Sequence, residues 1–169
     1  MDLHLLWFVL LTILMIGYSI LDGFDLGVGI LHLFVAENDR DRRVVMNSIG
    51  PIWDGNEVWL IALGGALFAA FPIAYATVFS GFYMAMMLVL FALILRAVSM
   101  EFRSKIGILP WRVFFDTTFS IGSFLAALLF GVAAGNLMIG LPIDSSHEYT
   151  GGFFTLLRPF PILAGLLSV

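Results

Sequence analysis

Four long apolar runs, each close to the length of a membrane-spanning helix, constrain the fold of this chain more than any other feature. A helix needs about 20 predominantly apolar residues to cross the hydrocarbon core of a bilayer. A fifth run is shorter than that, so we expect the chain to be a fragment or one half of a split subunit. The four predicted spans cover about residues 5–35, 55–72, 76–100 and 113–140, and the partial span covers 159–169.

The composition agrees with a membrane protein. The chain is 61% hydrophobic and 12% charged, whereas soluble domains are about 45–50% apolar and about 25% charged. It has no cysteine, which excludes disulfides, iron–sulfur clusters and zinc or haem held by cysteine. We therefore predict an all-α membrane protein, an antiparallel bundle of four transmembrane helices plus the start of a fifth, forming a single domain over residues 1–169.

The links between the spans differ in charge, and this difference predicts the topology. Links 36–52 and 101–112 each contain three Lys or Arg residues, whereas 71–75 and 141–156 contain none. Because cytoplasmic loops carry an excess of Lys and Arg, the two basic links are predicted to face the cytoplasm. The N-terminus and the other two links then lie on the outer side.

The first predicted span carries two acids about halfway along its length. Asp22 and Asp25 are three residues apart, so they share one face of a helix. Two carboxylates in a dry site are not expected to be ionised together. The pair is either part of a proton or ion path or a buried hydrogen-bonded pair that fixes helix packing. Gly23 and Gly27 form a small-xxx-small pattern with Gly29 beside it, which predicts close approach of another helix.

The start of the second span combines acids, an amide and two tryptophans in the run WDGNEVW at 53–59. Asp54 suits the N-terminus of a helix, where an acid caps the chain and complements the dipole. Capping does not account for Glu57, and a carboxylate at the edge of the hydrocarbon is often part of a proton pathway. Both explanations stay open for Asp54 and Glu57.

Three further charged residues lie near span ends. Arg96 is expected to extend its side chain to the cytoplasmic interface, or else to neutralise a buried acid or bind a lipid phosphate. Glu101 is either a plain loop charge or the cytoplasmic entrance of a proton path. Asp116 is interpreted as an acid that matches the helix dipole and does nothing more.

The histidines are not placed as haem ligands. His4 and His147 lie at or beyond the outer interface, and His32 lies near the cytoplasmic end of the first span. We therefore expect this chain to ligate no haem and to hold no metal.

Together these residues resemble subunit II of the cytochrome bd-type quinol oxidases. The resemblance extends through nearly all of the chain, and the WDGN run in its context is its most specific part. The matching runs are DGFDLGVG at 22–29, NSIGPIWDGNEVWL at 47–60, GGALFAAFP at 64–72, FSGFY at 79–83, RSK at 103–105 and GNL at 135–137. The family's subunit II usually has about twice as many spans as this chain.

The resemblance implies a multi-pass subunit in the cytoplasmic (inner) membrane of a bacterium or archaeon. Its complex is a terminal oxidase that oxidises quinol and reduces dioxygen to water. The implied partners are the haem-bearing subunit I, which binds haem b and haem d, and small single-span accessory subunits; nucleic acid is not among them. Subunit II itself is haem-free and can hold a structural quinone between its helices.

The resemblance also implies that subunit II lends acids to the cytoplasmic proton path. Asp54 and Glu101 are the leading candidates here, followed by Asp22, Asp25 and Glu57. The family often has Gln at the position of Glu57, and some members have Asp at the position of Glu101.

Two other functional classes fit the residues alone. One is half of a secondary transporter or ion channel, with Asp22, Asp25 and Asp54 as the coupling site. The other is a purely structural or assembly subunit whose acids only pack helices.

Overall fold

The fold is helical throughout. A computed structural model describes residues 2–169, and within that range the only β pairing is an isolated bridge between Ile143 and Tyr149. The all-α prediction is therefore confirmed. The helices are α1 (Leu3–Val35), α2 (Asp39–Ile49), α3 (Trp53–Ala70), α4 (Pro72–Gly81), α5 (Tyr83–Phe102), α6 (Leu109–Ile139), a 3₁₀-helix (Phe153–Leu156) and α7 (Pro159–Leu167).

Three helices in residues 2–169, namely α1, α5 and α6, are long and apolar enough to cross a membrane. Helix α3 has 18 residues, which corresponds to about 27 Å, but its first two turns are polar. The predicted count of four spans is therefore not confirmed, although the multi-pass character of the chain is. Helix α7 has nine residues, too few to span.

Two stretches fold differently from their predicted boundaries. The predicted third span, 76–100, is divided at Phe82 between α4 and α5. Pro72 starts α4 because proline needs no hydrogen-bond partner for its nitrogen in the first turn. The link 36–52 is not a loop, since it contains α2, where the Asn38 side chain accepts a hydrogen bond from the Asp41 N–H.

Helix α6 occupies the centre of the bundle and packs against α1, α5 and α7. Glycines allow this close packing. An added Cβ at Gly122 would lie 2.8 Å from the carbonyl oxygen of Ala92 on α5, and one at Gly29 would collide with Ser123 on α6. At Gly23 and Gly27 an added Cβ would meet nothing within 4 Å. Among residues 2–169, the predicted close approach is therefore confirmed at Gly29 but not at Gly23 or Gly27.

Helix α1 directs its two acids and His32 inward and many of its large apolar residues outward. Its buried face repeats at intervals of three and four residues through Tyr18, Asp22, Asp25, Gly29 and His32, which is one face of a helix. Ile20, Phe24 and Leu31 are exposed on other faces. This is the reverse of a water-soluble helix and places the acids of α1 inside the bundle.

The topology can be tested with single cysteines, since the chain has none. We expect Glu37→Cys and Ser104→Cys, both at exposed positions, to resist an impermeant thiol reagent added to intact cells. Ser145→Cys, exposed at the other end of α6, should react. Labelling of the first two from outside, with protection of the third, would invert the orientation.

Candidate functional site

The centre of the candidate site is the guanidinium group of Arg96 on α5. Its side chain is fully buried and contacts acids from two other helices. Nη1 lies 2.6 Å from Oε1 of Glu57, and Nη2 lies 3.3 Å from Oδ1 of Asp22 and 3.9 Å from Oδ2 of Asp25. The prediction that Arg96 reaches the cytoplasmic interface is therefore wrong. The alternative, that it neutralises buried acids, is confirmed.

Two neutral side chains complete the group of residues around Arg96. The hydroxyl of Tyr18 donates to Oδ2 of Asp22 over 2.6 Å, and the amide of Asn56 donates to Oδ2 of Asp25 over 2.7 Å. The other carboxyl oxygen of each aspartate has no hydrogen-bond partner. Nη2 of Arg96 is near Asp22 only as an ion pair, because their angle does not suit a hydrogen bond. We call these six residues the Arg96 cluster.

The positions of the acids follow from the helices that carry them. Asp22 and Asp25 share the buried face of α1, as predicted from their spacing, and α1 packs against α3, which supplies Asn56 and Glu57. Glu57 is the only carboxyl of the three with appreciable exposure, 22% against 0% for each aspartate. Glu57 is therefore the acid of the cluster that is accessible from the surface of the chain.

The leading sequence candidates, Asp54 and Glu101, lie outside the Arg96 cluster. Both are exposed. Asp54 is in the first turn of α3 but does not cap it, since the N-cap is Ile52. Asp54 precedes Glu57 by one helical turn and so lies on the same side of α3. Glu101 is near the end of α5.

A second group of charges surrounds Asp116, which is 1% exposed. His32 and Arg42 contact its two oxygens at 2.7 Å and 2.9 Å, and Arg103 donates to both oxygens at 2.5 Å and 3.0 Å. The interpretation of Asp116 as a mere dipole match is therefore wrong. Arg103 also bonds Asp39, at 2.9 Å.

This second group, together with Arg112 on Asp39 at 2.8 Å, is called the Asp116 network below. It joins α1, α2 and α6 to Arg103, the residue that follows α5. Burial alone would lower the pKa of Arg103, but hydrogen bonds and charge from Asp116 and Asp39 outweigh it and raise that pKa. Arg103 therefore stays charged at every physiological pH.

Sequence reasoning did not find the network because its residues are far apart in the chain. Arg42 and Asp116 are separated by 74 residues and His32 and Asp116 by 84. Both charge-rich links were interpreted only as cytoplasmic links between spans. The available signal was the mixture of acids and arginines in 36–52, which indicates pairing more than solvation.

The two exposed histidines lie elsewhere, beside a cavity of about 640 Å³. Phe71 and Pro72 at the α3–α4 junction and Leu137 of α6 form much of its wall, with His4 and His147 also lining it. The surface is mostly apolar, so the cavity suits a hydrophobic ligand. Within residues 2–169, no group of three or more His, Asp or Glu is arranged to hold a metal ion.

These observations define a class: a multi-pass helical membrane protein whose interior holds acids compensated by arginine. The comparisons specify the family. Residues 3–169 match the family model described as cytochrome bd terminal oxidase subunit II. The chain belongs to that family.

The chain is also similar to individual members. It is 52% identical to cytochrome bd-I ubiquinol oxidase subunit 2 of Escherichia coli K12, over 99% of this chain and 45% of the relative. It is 48% identical to a probable cytochrome oxidase subunit 2 of Haemophilus influenzae, over 99% and 45%. It is 42% identical to cytochrome bd ubiquinol oxidase subunit 2 of Bacillus subtilis, over 98% and 49%. The chain thus spans about half the length of these curated relatives.

The Asp116 network can be tested by Asp116→Asn. This change keeps the shape of the side chain but leaves two guanidinium groups without their shared carboxylate, and breaking a buried ion pair costs about 3–5 kcal/mol. We expect a clearly lower thermal denaturation midpoint and a lower yield of folded protein in detergent. Glu148→Gln, which removes an exposed acid, is the control. Equal midpoints for the two variants would contradict the structural role.

Proposed function

We propose that this chain is a haem-free subunit of a cytochrome bd-type terminal oxidase, in which a quinol is oxidised and dioxygen is reduced to water. Family membership is the observation that carries the proposal, and the names of two relatives, which specify ubiquinol oxidase subunits, support it. The rival class, half of a secondary transporter or channel, gains no support from these relatives.

The proposed complex contains a haem-bearing subunit I, which binds haem b and haem d, and small accessory subunits. We place it in the bacterial inner membrane with α2 and the link after α5 on the cytoplasmic side, from their Lys and Arg residues. A structural quinone is proposed for the apolar cavity near His4 and His147, which lies at the outer end in this orientation.

The subunit's proposed contribution to catalysis is proton delivery. Reducing one dioxygen to two waters consumes four protons, and protons do not cross hydrocarbon unaided. Taking them from the cytoplasm separates charge if quinol releases its protons outside. Carboxyl groups at cytoplasmic helix ends are suited to start such a path, because they bind and release protons readily.

Asp54 and Glu57 are the best-placed acids for this path. Asp54 is exposed at the predicted cytoplasmic end of α3, and Glu57 lies one turn further into the membrane, in contact with Arg96. Asp25 and Asp22, on α1, are fully buried and also face Arg96. Glu101, exposed near the end of α5, is proposed as an additional entrance for protons.

Asp54→Asn tests the path. The amide retains the size of the carboxylate but carries no proton, so quinol oxidase activity of the assembled complex should fall at least tenfold, equivalent to about 1.4 kcal/mol of barrier. Glu101→Gln should have a smaller effect, since water can bypass an exposed entrance. Haem content and assembly should be unchanged in both.

The control is Glu37→Gln, which removes an exposed acid at the same predicted end of the molecule. Full turnover in Asp54→Asn, measured beside this control, would exclude Asp54 from the path. Loss of assembly in Asp54→Asn alone would assign it a structural role instead.

The haem-free assignment is tested through the histidines. Replacing His4 and His147 together by Gln, and His32 separately by Gln, should leave the reduced-minus-oxidised haem spectrum unchanged per assembled complex. The His32 variant should assemble in lower yield, because His32 contacts the buried Asp116. Loss of one haem band from either assembled variant would show that this chain ligates haem.

A further inference from the structure

The Arg96 cluster contains more acid than base. Asp22, Asp25 and Glu57 would carry three negative charges against the single positive charge of Arg96, which leaves a net charge of minus two in and around a buried site. Uncompensated charge inside a bundle in the membrane is costly. Protonation of one carboxyl removes half of this excess, so we expect one of the three acids to be neutral.

The distances to Arg96 distinguish the three acids. Glu57 is nearest, at 2.6 Å, and is partly exposed, so its negative charge is stabilised both by the guanidinium and by its exposure. Asp22 lies 3.3 Å from the guanidinium and also accepts the Tyr18 hydroxyl. Asp25 is farthest, at 3.9 Å, is fully buried, and accepts a hydrogen bond only from a neutral amide. Its ionised form is therefore the least stabilised.

The two carboxyl oxygens of Asp25 have different surroundings. Asn56 donates to Oδ2, which then acts as the carbonyl oxygen, while Oδ1 is buried without a partner. A bare carboxylate oxygen there would lack compensation, whereas a proton on Oδ1 removes its charge. An amide can serve both protonation states of Asp25, because its NH₂ donates to a carboxylate and its carbonyl oxygen accepts from an acid.

Within residues 2–169, the charges that face Asp25 come from α1, α3 and α5. From α1 the facing acid is Asp22, from α3 it is Glu57, and from α5 the facing base is Arg96. The buried acid of α6, Asp116, is held by arginines in its own network. The charges facing Asp25 within residues 2–169 are thus two carboxylates and one guanidinium.

We propose that Asp25 is protonated at neutral pH and is the proton-storing residue of the Arg96 cluster, with Glu57 as the point where protons enter. Loading transfers a proton from Glu57 to Asp25 and leaves Glu57 ionised beside Arg96. Unloading passes that proton on toward the site of dioxygen reduction in the proposed complex, where water is formed, and leaves Asp25 ionised. The storage role rests on the proton path proposed above, whereas the protonation of Asp25 does not.

Infrared spectroscopy of the assembled membrane complex tests the protonation directly. A neutral carboxyl gives a carbonyl band distinct from those of carboxylate and amide, and this band shifts in D₂O when its proton exchanges. We expect such a band at neutral pH, shifting in D₂O, and absent from Asp25→Asn. The control Glu37→Gln, which removes an exposed acid outside the Arg96 cluster, should keep it.

Stability provides a second readout. Asp25→Asn replaces a neutral group by a neutral group of the same shape, so its denaturation midpoint should stay close to that of the parent. Asp22→Asn removes a charge that faces Arg96, and its midpoint should fall. The proposal is overturned if the band persists in Asp25→Asn, or if the midpoint falls as far in Asp25→Asn as in Asp22→Asn.

Quinol oxidase activity, measured beside the infrared band, distinguishes the role of Asp25 from the proposed proton path through Asp54. A band that is lost with Asp25 but does not shift in D₂O would overturn the storage role. An exchanging Asp25 band, together with full activity in Asp54→Asn, would remove the Asp54 path and keep Asp25 as the protonated acid. Loss of activity in Asp54→Asn without any Asp25 band would keep the Asp54 path and overturn the protonation of Asp25.

Discussion

The fold depends on the neutralisation of buried carboxylates by buried guanidinium groups. Asp22 and Asp116 are almost completely enclosed, as are Arg96 and Arg103. Removing such groups from water costs several kcal/mol per ion, and only close pairing repays it. Arginine suits this position better than lysine, since its planar group contacts several acceptors at once and does not lose its proton. The helices therefore pack where the charges can meet.

The two groups of charges differ in their balance, and this suits them to different tasks. In the Asp116 network, the arginines Arg42, Arg103 and Arg112 exceed the two aspartates, and every carboxylate oxygen has a donor. Such an arrangement fixes a geometry. In the Arg96 cluster the acids are in excess and two oxygens lack partners. Binding a proton would reduce the excess negative charge of the Arg96 cluster, whereas the carboxylates of the Asp116 network are already neutralised.

The helical class and the placement of Asp22 and Asp25 on one buried face could be predicted because both depend on local pattern. Apolar run length gives the spans, and a spacing of three residues gives the shared face. The partners of Arg96 could not be predicted, since Glu57 lies 39 residues away and is brought to it only by tertiary packing. Composition also favoured an exposed Arg96, because most arginines near span ends reach the interface.

The boundaries show the same division. Helix α2 had a local signal, an asparagine cap followed by acids in the first turn, but the polar link was interpreted as a loop. The break at Phe82 between α4 and α5 had no comparable signal. Asp54 was correctly placed at the start of α3, yet its exposure depends on how α3 lies against α1.

Gly122 makes the acid site vulnerable at a position that has no functional group. A methyl group there would lie 2.8 Å from the carbonyl oxygen of Ala92 and 3.1 Å from the backbone nitrogen of Arg96. Helix α5 would have to shift relative to α6, and the guanidinium of Arg96 would shift with it, which would change its distances to the acids. A genetic screen for defective function should therefore recover changes at Gly122 beside changes at the acids, although glycine neither binds nor transfers a proton.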